Sequence, residues 1–109
     1  MLKVVTLFLM LCLSLRGEEA TYYSGSLVGK LMANGKPYCA MSYTCASWDY
    51  PLGTILIVTH EQKSVRVLVT DRHDYKTDID LSFAAFVKLA AWRQGRIIVT
   101  IKEEKDEDS

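Results

Sequence analysis

The sequence has no excess of either charge, because 13 Lys and Arg residues are matched by 13 Asp and Glu residues and the formal net charge is zero. Nucleic-acid-binding domains carry a basic face or stripe, which this balance does not favour. The chain is also short: 109 residues, half of them hydrophobic, suit one domain and are too few for two. The composition therefore argues against a nucleic acid partner and against a multidomain architecture.

Apolar runs long enough to cross a membrane are missing as well. Residues 4–15 carry no charge, but as a helix they would rise only about 18 Å, short of a bilayer core of roughly 30 Å. Lys3 precedes this run, and charged residues return at 16–19. That order is typical of a secretory signal peptide. We predict a signal peptide over residues 1–20, export to the periplasm or the cell exterior, and no stable membrane span after its removal; an N-terminal strand or buried helix is the alternative.

Cysteine is scarce, and its positions limit what it can form. Cys12 falls within the predicted signal peptide, which leaves Cys39 and Cys45. Two cysteines without a second pair of ligands do not make a zinc site, whereas an even number in an oxidising compartment favours a disulfide. We predict a Cys39–Cys45 disulfide that contributes about 2–3 kcal/mol, and no metal or organic cofactor.

Strand patterns dominate what the sequence does contain. Residues 54–59 and 64–70 are rich in Ile and Val and are separated by four polar residues, which predicts a β-hairpin. Residues 96–102 alternate apolar and polar side chains, and residues 20–24 form a short aromatic segment. These four segments predict a mainly β protein.

The pattern changes to helical spacing late in the chain. Apolar residues within 81–92 recur at helical intervals, Ser82 is in position to act as N-cap, and Gly95 ends the helical region. The final residues, 103–109, are acidic and lack apolar side chains, so we predict a disordered tail. A flat sheet of this size would leave exposed edges and a thin core, so we predict that residues 21–102 form a small closed barrel with a short helix.

Four aspartates crowd the segment between the hairpin and the helix: Asp71, Asp74, Asp78 and Asp80. Asp71 follows a strand and begins a loop, a place where a rigid support presents an exposed side chain. Asp80 precedes the helix, where a carboxylate commonly accepts backbone N–H groups. We interpret Asp74 and Asp78 as solvated loop charges.

Five segments together resemble one known domain: ATYYSG, MANGKPY, PLGTILIVT, VRVLVTDRHDY and IDLSFAAFVKLA. The chain resembles the double-psi β-barrel domain of the RlpA-like (rare lipoprotein A) lytic transglycosylases over nearly all of residues 20–101. Expansins and barwin-like proteins share this barrel and a similar DLS segment. The resemblance implies a mainly β fold, namely a six-stranded double-psi β-barrel with one or two short helices, and a role in cell-wall biology.

The chain departs from the usual family pattern at several polar positions. Lys36 stands where the family usually has Glu, Ser47 where it usually has His, and His73 and Asp74 where Gly and Pro usually follow Asp-Arg. The family's aspartate is retained as Asp71. Because such differences alter a site more readily than a fold, the fold transfers more safely than the activity.

The resemblance implies that Asp71 acts as general acid and base, with Asp80 as the second catalytic candidate. Glycosidic cleavage needs a proton on the leaving oxygen. In a lytic transglycosylase the sugar's own 6-hydroxyl then attacks, so one carboxyl group can serve first as acid and then as base. Aromatic and polar side chains nearby are candidates for holding the sugar. The predicted substrate-binding residues are Arg72, His73, Ser47, Tyr23 and Trp48.

Three functions from different classes remain open from the sequence. The first is a monomeric lytic transglycosylase that acts on peptidoglycan glycan strands. The second is an expansin-like module that binds or loosens a wall polysaccharide without cleaving it. The third is a secreted protein or protease inhibitor on a barwin-like scaffold.

Overall fold

The computed structural model describes residues 17–73 and 77–105. Within these ranges the chain forms the following six strands: β1 (Glu18–Tyr22), β2 (Thr44–Ala46), β3 (Ile55–His60), β4 (Lys63–Asp71), β5 (Ile79–Leu81) and β6 (Ile97–Glu103). The helical segments in the same ranges are α1 (Phe83–Leu89) and two 3-10 turns, Gly25–Leu27 and Trp92–Gln94.

The described strands close into a barrel in the order β1-β5-β2-β4-β3-β6. Two pairs are parallel, β1 with β5 and β2 with β4, and the remaining neighbours are antiparallel. Parallel neighbours that are distant in sequence require crossovers, which a simple meander lacks. This closed, mixed barrel confirms the predicted double-psi β-barrel.

The hairpin of β3 and β4 supplies one wall of the barrel. Its turn is tight, because His60 and Lys63 still pair across it, and Glu61 adopts a positive φ of 56°. Along β4, Val65, Val67 and Val69 are buried, as the two-residue period of a strand requires. The hairpin predicted from the Ile- and Val-rich segments is confirmed.

Helix α1 covers one side of the barrel. The Ser82 hydroxyl accepts the Ala85 amide at its start, which confirms the predicted N-cap, and Phe86 is fully buried in the core. The helix ends at Leu89, earlier than predicted, and the chain continues into a 3-10 turn that Gly95 closes with a φ of 66°. Among residues 17–73 and 77–105, no helix has the length and apolarity needed to cross a membrane.

The first and last strands of the barrel extend beyond the predicted domain limits of residues 21–102. Strand β1 begins at Glu18, so it includes the last three residues of the predicted signal peptide, and Ala20 is fully buried. Strand β6 continues to Glu103, and Glu104 forms an ion pair with Arg66 at 2.6 Å. Residues 1–16 of the signal peptide prediction and residues 106–109 of the tail prediction lie outside the described residues.

The predicted disulfide is wrong, because both of its cysteines are free thiols. Cys45 lies on β2 with its side chain in the apolar core, and it is fully buried. Cys39 is exposed on the preceding loop. Since one thiol points into the barrel and the other faces solvent, the short sequence separation does not bring them together; burial raises the pKa of the Cys45 thiol to about 12.

Candidate functional site

Strand β2 brings the two candidate acids to the same end of the barrel. It lies between β4 and β5, and Ala46 is the register partner of both Asp71 and Asp80. Two interstrand spacings separate the backbones of these aspartates by about 10 Å. The two aspartates therefore lie on either side of β2, because β2 pairs with β4 and with β5.

Asp71 is held as a hydrogen-bond acceptor on both carboxylate oxygens. The Tyr23 hydroxyl donates to Oδ2 at 2.7 Å, and the backbone amides of Ala33 and Arg72 donate to Oδ1 at 2.7 and 2.8 Å. Hydrogen bonds of this kind fix the orientation of the carboxylate. Asp71 thus places a fixed negative charge at the end of β4.

Asp80 lies in a different environment. Only 2% of its surface is exposed, and the Thr21 hydroxyl donates to its Oδ1 at 3.0 Å. Burial raises the pKa of Asp80 to about 6, and the charge of Asp71 adds to the rise. The Thr21 hydrogen bond and the electrostatic interaction with His73 act in the opposite direction. Asp80 can therefore carry a proton near neutral pH. It belongs to β5, and the helix cap is Ser82, as predicted.

A cleft of about 420 Å³ opens over the two acids, which is within the range of small-ligand sites. We call it the Asp71 cleft, lined by Tyr23, Leu27, Leu31, Asp71, Arg72, His73 and Asp80. A second cleft of about 340 Å³, the Arg96 cleft, is lined by Thr21, Tyr22, Ser24, Thr77, Asp80, Gly95 and Arg96. Because Asp80 borders both clefts, a chain-like ligand that crosses it would contact the protein on either side.

Arg72 and Trp48 form an exposed platform beside the Asp71 cleft. The guanidinium lies 5.5 Å from the centre of the Trp48 ring and is fixed by hydrogen bonds to the carbonyls of Ser47 and Tyr50 at 2.6 and 3.1 Å. The Trp48 indole N–H donates to the carbonyl of His73. Since Trp48 remains 65% exposed, its ring face is open to a ligand.

Not all predicted binding residues face the cleft. Ser47 is 1% exposed; its hydroxyl accepts the Asp49 amide, and its own amide donates to the Asp71 carbonyl. It shapes the backbone beside Asp71 and does not line the Asp71 cleft. His73 and Tyr23 both line the cleft, and Tyr23 is 6% exposed.

Sequence reasoning missed the loop that completes the site. An isolated bridge between Leu31 and Pro37 folds residues 31–37 into a tight hairpin. Asn34 accepts the Lys36 amide, and this turn directs the Ala33 amide at Asp71. The Asn-Gly pair was the available signal, because it is the commonest short hairpin turn. Thr21, whose hydroxyl donates to Asp80, had no comparable sequence signal.

No arrangement of at least three His, Cys, Asp or Glu side chains suited to a metal ion occurs within residues 17–73 and 77–105. The polar groups described above are hydrogen-bonded to one another and to the backbone.

The family described as lytic transglycolase, with a double-psi β-barrel, matches residues 15–101. Among curated proteins, the uncharacterized protein ssl3177 of Synechocystis is 42% identical over 86 residues, covering 77% of this chain and 93% of that protein. A probable endolytic peptidoglycan transglycosylase RlpA of Treponema pallidum is 35% identical over 86 residues, covering 75% of this chain. The chain matches only 27% of the length of that RlpA.

Solved structures give a consistent fold. The Streptomyces papain inhibitor is 31% identical with a TM-score of 0.64, and the match covers 84% of this chain and 94% of the inhibitor. A Clavibacter michiganensis expansin variant, solved in complex with cellohexaose, is 27% identical with a TM-score of 0.65. That match covers 84% of this chain and 50% of the expansin.

Proposed function

The chain belongs to the lytic transglycolase family, and from this premise we propose that it is a lytic transglycosylase that cleaves peptidoglycan glycan strands with Asp80 as general acid and base. One observation carries the proposal: a buried carboxyl group with a raised pKa borders an open cleft beside a second, fixed carboxylate. Pairs of carboxyl groups in contrasting environments commonly divide acid and charge-stabilising roles in this way. Asp80 thus takes the role that the resemblance had assigned to Asp71.

Asp80 supplies the proton that glycosidic cleavage requires. At a pH below about 6 its carboxyl group is protonated, and in the proposed reaction it donates that proton to the glycosidic oxygen as the bond to the anomeric carbon breaks. The resulting Asp80 carboxylate then takes the proton from the sugar's own 6-hydroxyl, whose oxygen bonds to the anomeric carbon. The proton returns to Asp80, and no water is consumed.

Asp71 supplies charge rather than protons. Positive charge develops on the sugar ring in the transition state, and a carboxylate held by Tyr23 and two backbone amides is already oriented before the substrate binds. Such fixed charges stabilise a transition state without reorganisation at the moment of reaction. Asp71 is therefore the electrostatic partner of Asp80.

The Trp48 platform gives the glycan a surface to bind. Sugar rings present apolar C–H faces and polar edges, which suit an exposed indole next to a guanidinium. His73 adds a polar edge between the platform and Asp80. A glycan that stacks on Trp48 would place its next linkages over the acids.

Export is part of the same proposal, since a peptidoglycan-active protein must reach the wall. Strand β1 begins at Glu18, so a cleavage that leaves the barrel intact falls at or before Gly17. Sequencing of the mature N-terminus tests this point. A mature chain that begins after Ala20 would lack three strand residues and would overturn it.

The function is tested by digestion of purified, peptide-free glycan strands followed by mass spectrometry. We expect fragments with anhydro ends from the wild-type protein, and at least about 100-fold less of them from Asp80→Asn in the same digestion time. The control is Lys36→Gln, because Lys36 is exposed and outside both clefts. Hydrated reducing ends, or products formed by Asp80→Asn at the wild-type rate, would contradict the mechanism.

A non-catalytic, expansin-like function is the second candidate. It is favoured by the similarity to an expansin that was solved with cellohexaose and by the exposed Trp48 platform. In that case the glycan strands remain intact while the protein is retained on them, and retention falls in Trp48→Ala but not in Asp80→Asn.

A further inference from the structure

Two buried tyrosines lie behind the Asp71 cleft. Tyr23 and Tyr38 are 6% and 3% exposed, and their rings stack with centroids 4.3 Å apart and an interplanar angle of 17°. They form a small core of their own with Met32 and Ala46, separate from the main barrel core. The acid–base steps proposed above do not use Tyr38, and they use Tyr23 only as a donor to Asp71.

Tyr23 reaches the first acid directly. Its hydroxyl donates to Asp71 Oδ2 at 2.7 Å. Burial raises the pKa of Tyr23, and its hydrogen bond to Asp71 adds to the rise, so this hydroxyl keeps its proton and remains a donor. The direction of the Asp71 side chain therefore depends on a group that is itself fixed by stacking.

Tyr38 reaches the backbone that follows the second acid. Its hydroxyl accepts the amide of Phe83 at 3.1 Å, and Phe83 is the first residue of α1, three positions after Asp80. The backbone of Tyr38 is held in turn, because its amide donates to Lys30 and its carbonyl accepts the Gly29 amide.

We propose that the stacked Tyr23–Tyr38 pair is a positioning element that fixes Asp71 and Asp80 relative to each other. Tyr23 orients the Asp71 carboxylate, and Tyr38 anchors the start of α1 immediately after the Asp80 strand. The stack connects these two hydrogen bonds into one rigid unit. This role rests on the proposed function for its effect on catalysis, but its structural part stands without it.

Removing one hydroxyl at a time tests the pair. Tyr23→Phe and Tyr38→Phe keep the stacked rings and the volume of the core while each removes one hydrogen bond. Tyr43→Phe is the matched control, since Tyr43 is 45% exposed and lies beside Lys88 on another surface. Thermal unfolding of all three variants establishes that they are folded before comparison.

The first readout needs no substrate. In Tyr23→Phe we expect the Asp71 side chain to average between rotamers in three-bond NMR couplings, where the wild type holds a single rotamer. In Tyr38→Phe we expect the Phe83 amide to exchange with solvent about tenfold faster, the effect of one lost hydrogen bond. A fixed Asp71 rotamer in Tyr23→Phe, or an unchanged Phe83 exchange rate in Tyr38→Phe, would overturn the proposal.

The second readout is kinetic. Misplaced catalytic groups lower turnover more than binding, so we expect kcat to fall about tenfold in Tyr23→Phe while KM changes less than about twofold. Equal kcat in Tyr23→Phe and Tyr43→Phe would overturn the catalytic part. If the wild-type protein cleaves no glycan, the proposed function fails, and the NMR measurements still decide whether the tyrosine pair positions the two acids.

Discussion

The ends of β4 and β5 carry the same functional group in two opposite settings. Asp71 lies partly exposed at the end of β4, with a phenol and two backbone amides directed at its oxygens. Asp80 lies almost fully buried on β5, where a threonine hydroxyl donates to it. Both border one cleft and pair with one residue, Ala46, so their difference arises from local solvation and hydrogen bonding.

This contrast shows how one small barrel can hold both a proton carrier and a fixed anion. Backbone amides and the Tyr23 hydroxyl orient the Asp71 carboxylate, whereas burial favours the neutral form of Asp80. Asp71 also raises the pKa of Asp80, while His73 lowers it. Substitutions of Asp80, of Asp71 and of the Thr21 hydrogen-bond donor should therefore affect turnover, stability and pH dependence to different extents.

The largest expected effect is on turnover. Asp80→Asn removes the proton carrier at nearly constant volume, so we expect kcat to fall about 10²–10⁴-fold. Asp71→Asn removes charge but leaves the acid, so its loss should be smaller. Initial rates of glycan cleavage for both variants measure the difference, and an equal or larger loss in Asp71→Asn would reverse the proposed roles.

The second effect concerns how stability depends on pH. The folded chain keeps Asp80 protonated up to about pH 6, whereas the usual pKa of an aspartate is 3.8. The folded state then binds more protons than the unfolded state between these values, so this contribution is present at low pH and is lost as pH rises through about 6.

Asp80→Asn removes this dependence. The difference in unfolding free energy between the variant and wild type should shift in favour of the variant by up to about 3 kcal/mol from pH 4 to pH 7. Urea unfolding at several pH values measures the gain. A constant difference between the two proteins across that range would show that the pKa of Asp80 is not raised.

The third effect is on stability, because Asp71 is the hydrogen-bond acceptor for groups of the surrounding loop. Asp71→Ala leaves the Tyr23 hydroxyl and the Ala33 and Arg72 amides without their acceptor, at a cost of about 1–3 kcal/mol in unfolding free energy. Urea unfolding at pH 7 measures this loss, with Lys36→Gln as the control in the same loop. Stability equal to the control would mean that these hydrogen bonds are replaced by water.

The smallest effect is a shift of the pH profile. The Thr21 hydroxyl favours the charged form of Asp80 and so lowers its pKa. Thr21→Val should raise that pKa by about 0.5–1 unit. Because the acid works only when protonated, the decline of kcat/KM at higher pH should move upward by the same amount. A downward move would contradict the assignment of Asp80 as the acid.

Much of the fold could be predicted because its signals are local. Alternation along β4 and the helical spacing after Ser82 report which side chains face inward, and both were confirmed. The site was harder, since Asp80 lies just before a helix and the sequence did not predict a strand over Ile79–Leu81. Its pairing with Thr21 on β1 and Ala46 on β2 instead makes it a strand residue.

The cysteines illustrate the same limit. Cys39 and Cys45 are six positions apart, and an even count favoured a disulfide. The face of β2 that Cys45 occupies depends on its partners Val69 and Leu81, which lie far along the chain. Their pairing directs Cys45 into the core.

The sequence by itself determined the helix, four of the six described strands, the family resemblance and the aspartates available for chemistry, because periodicity, capping and composition act between near neighbours. Only the tertiary structure decided which aspartate is buried, which amides and hydroxyls face each one, and that Ser47 and Cys45 lie inside. Solvation and hydrogen bonding of a carboxyl group depend on groups from distant strands, and those groups meet only when the barrel closes.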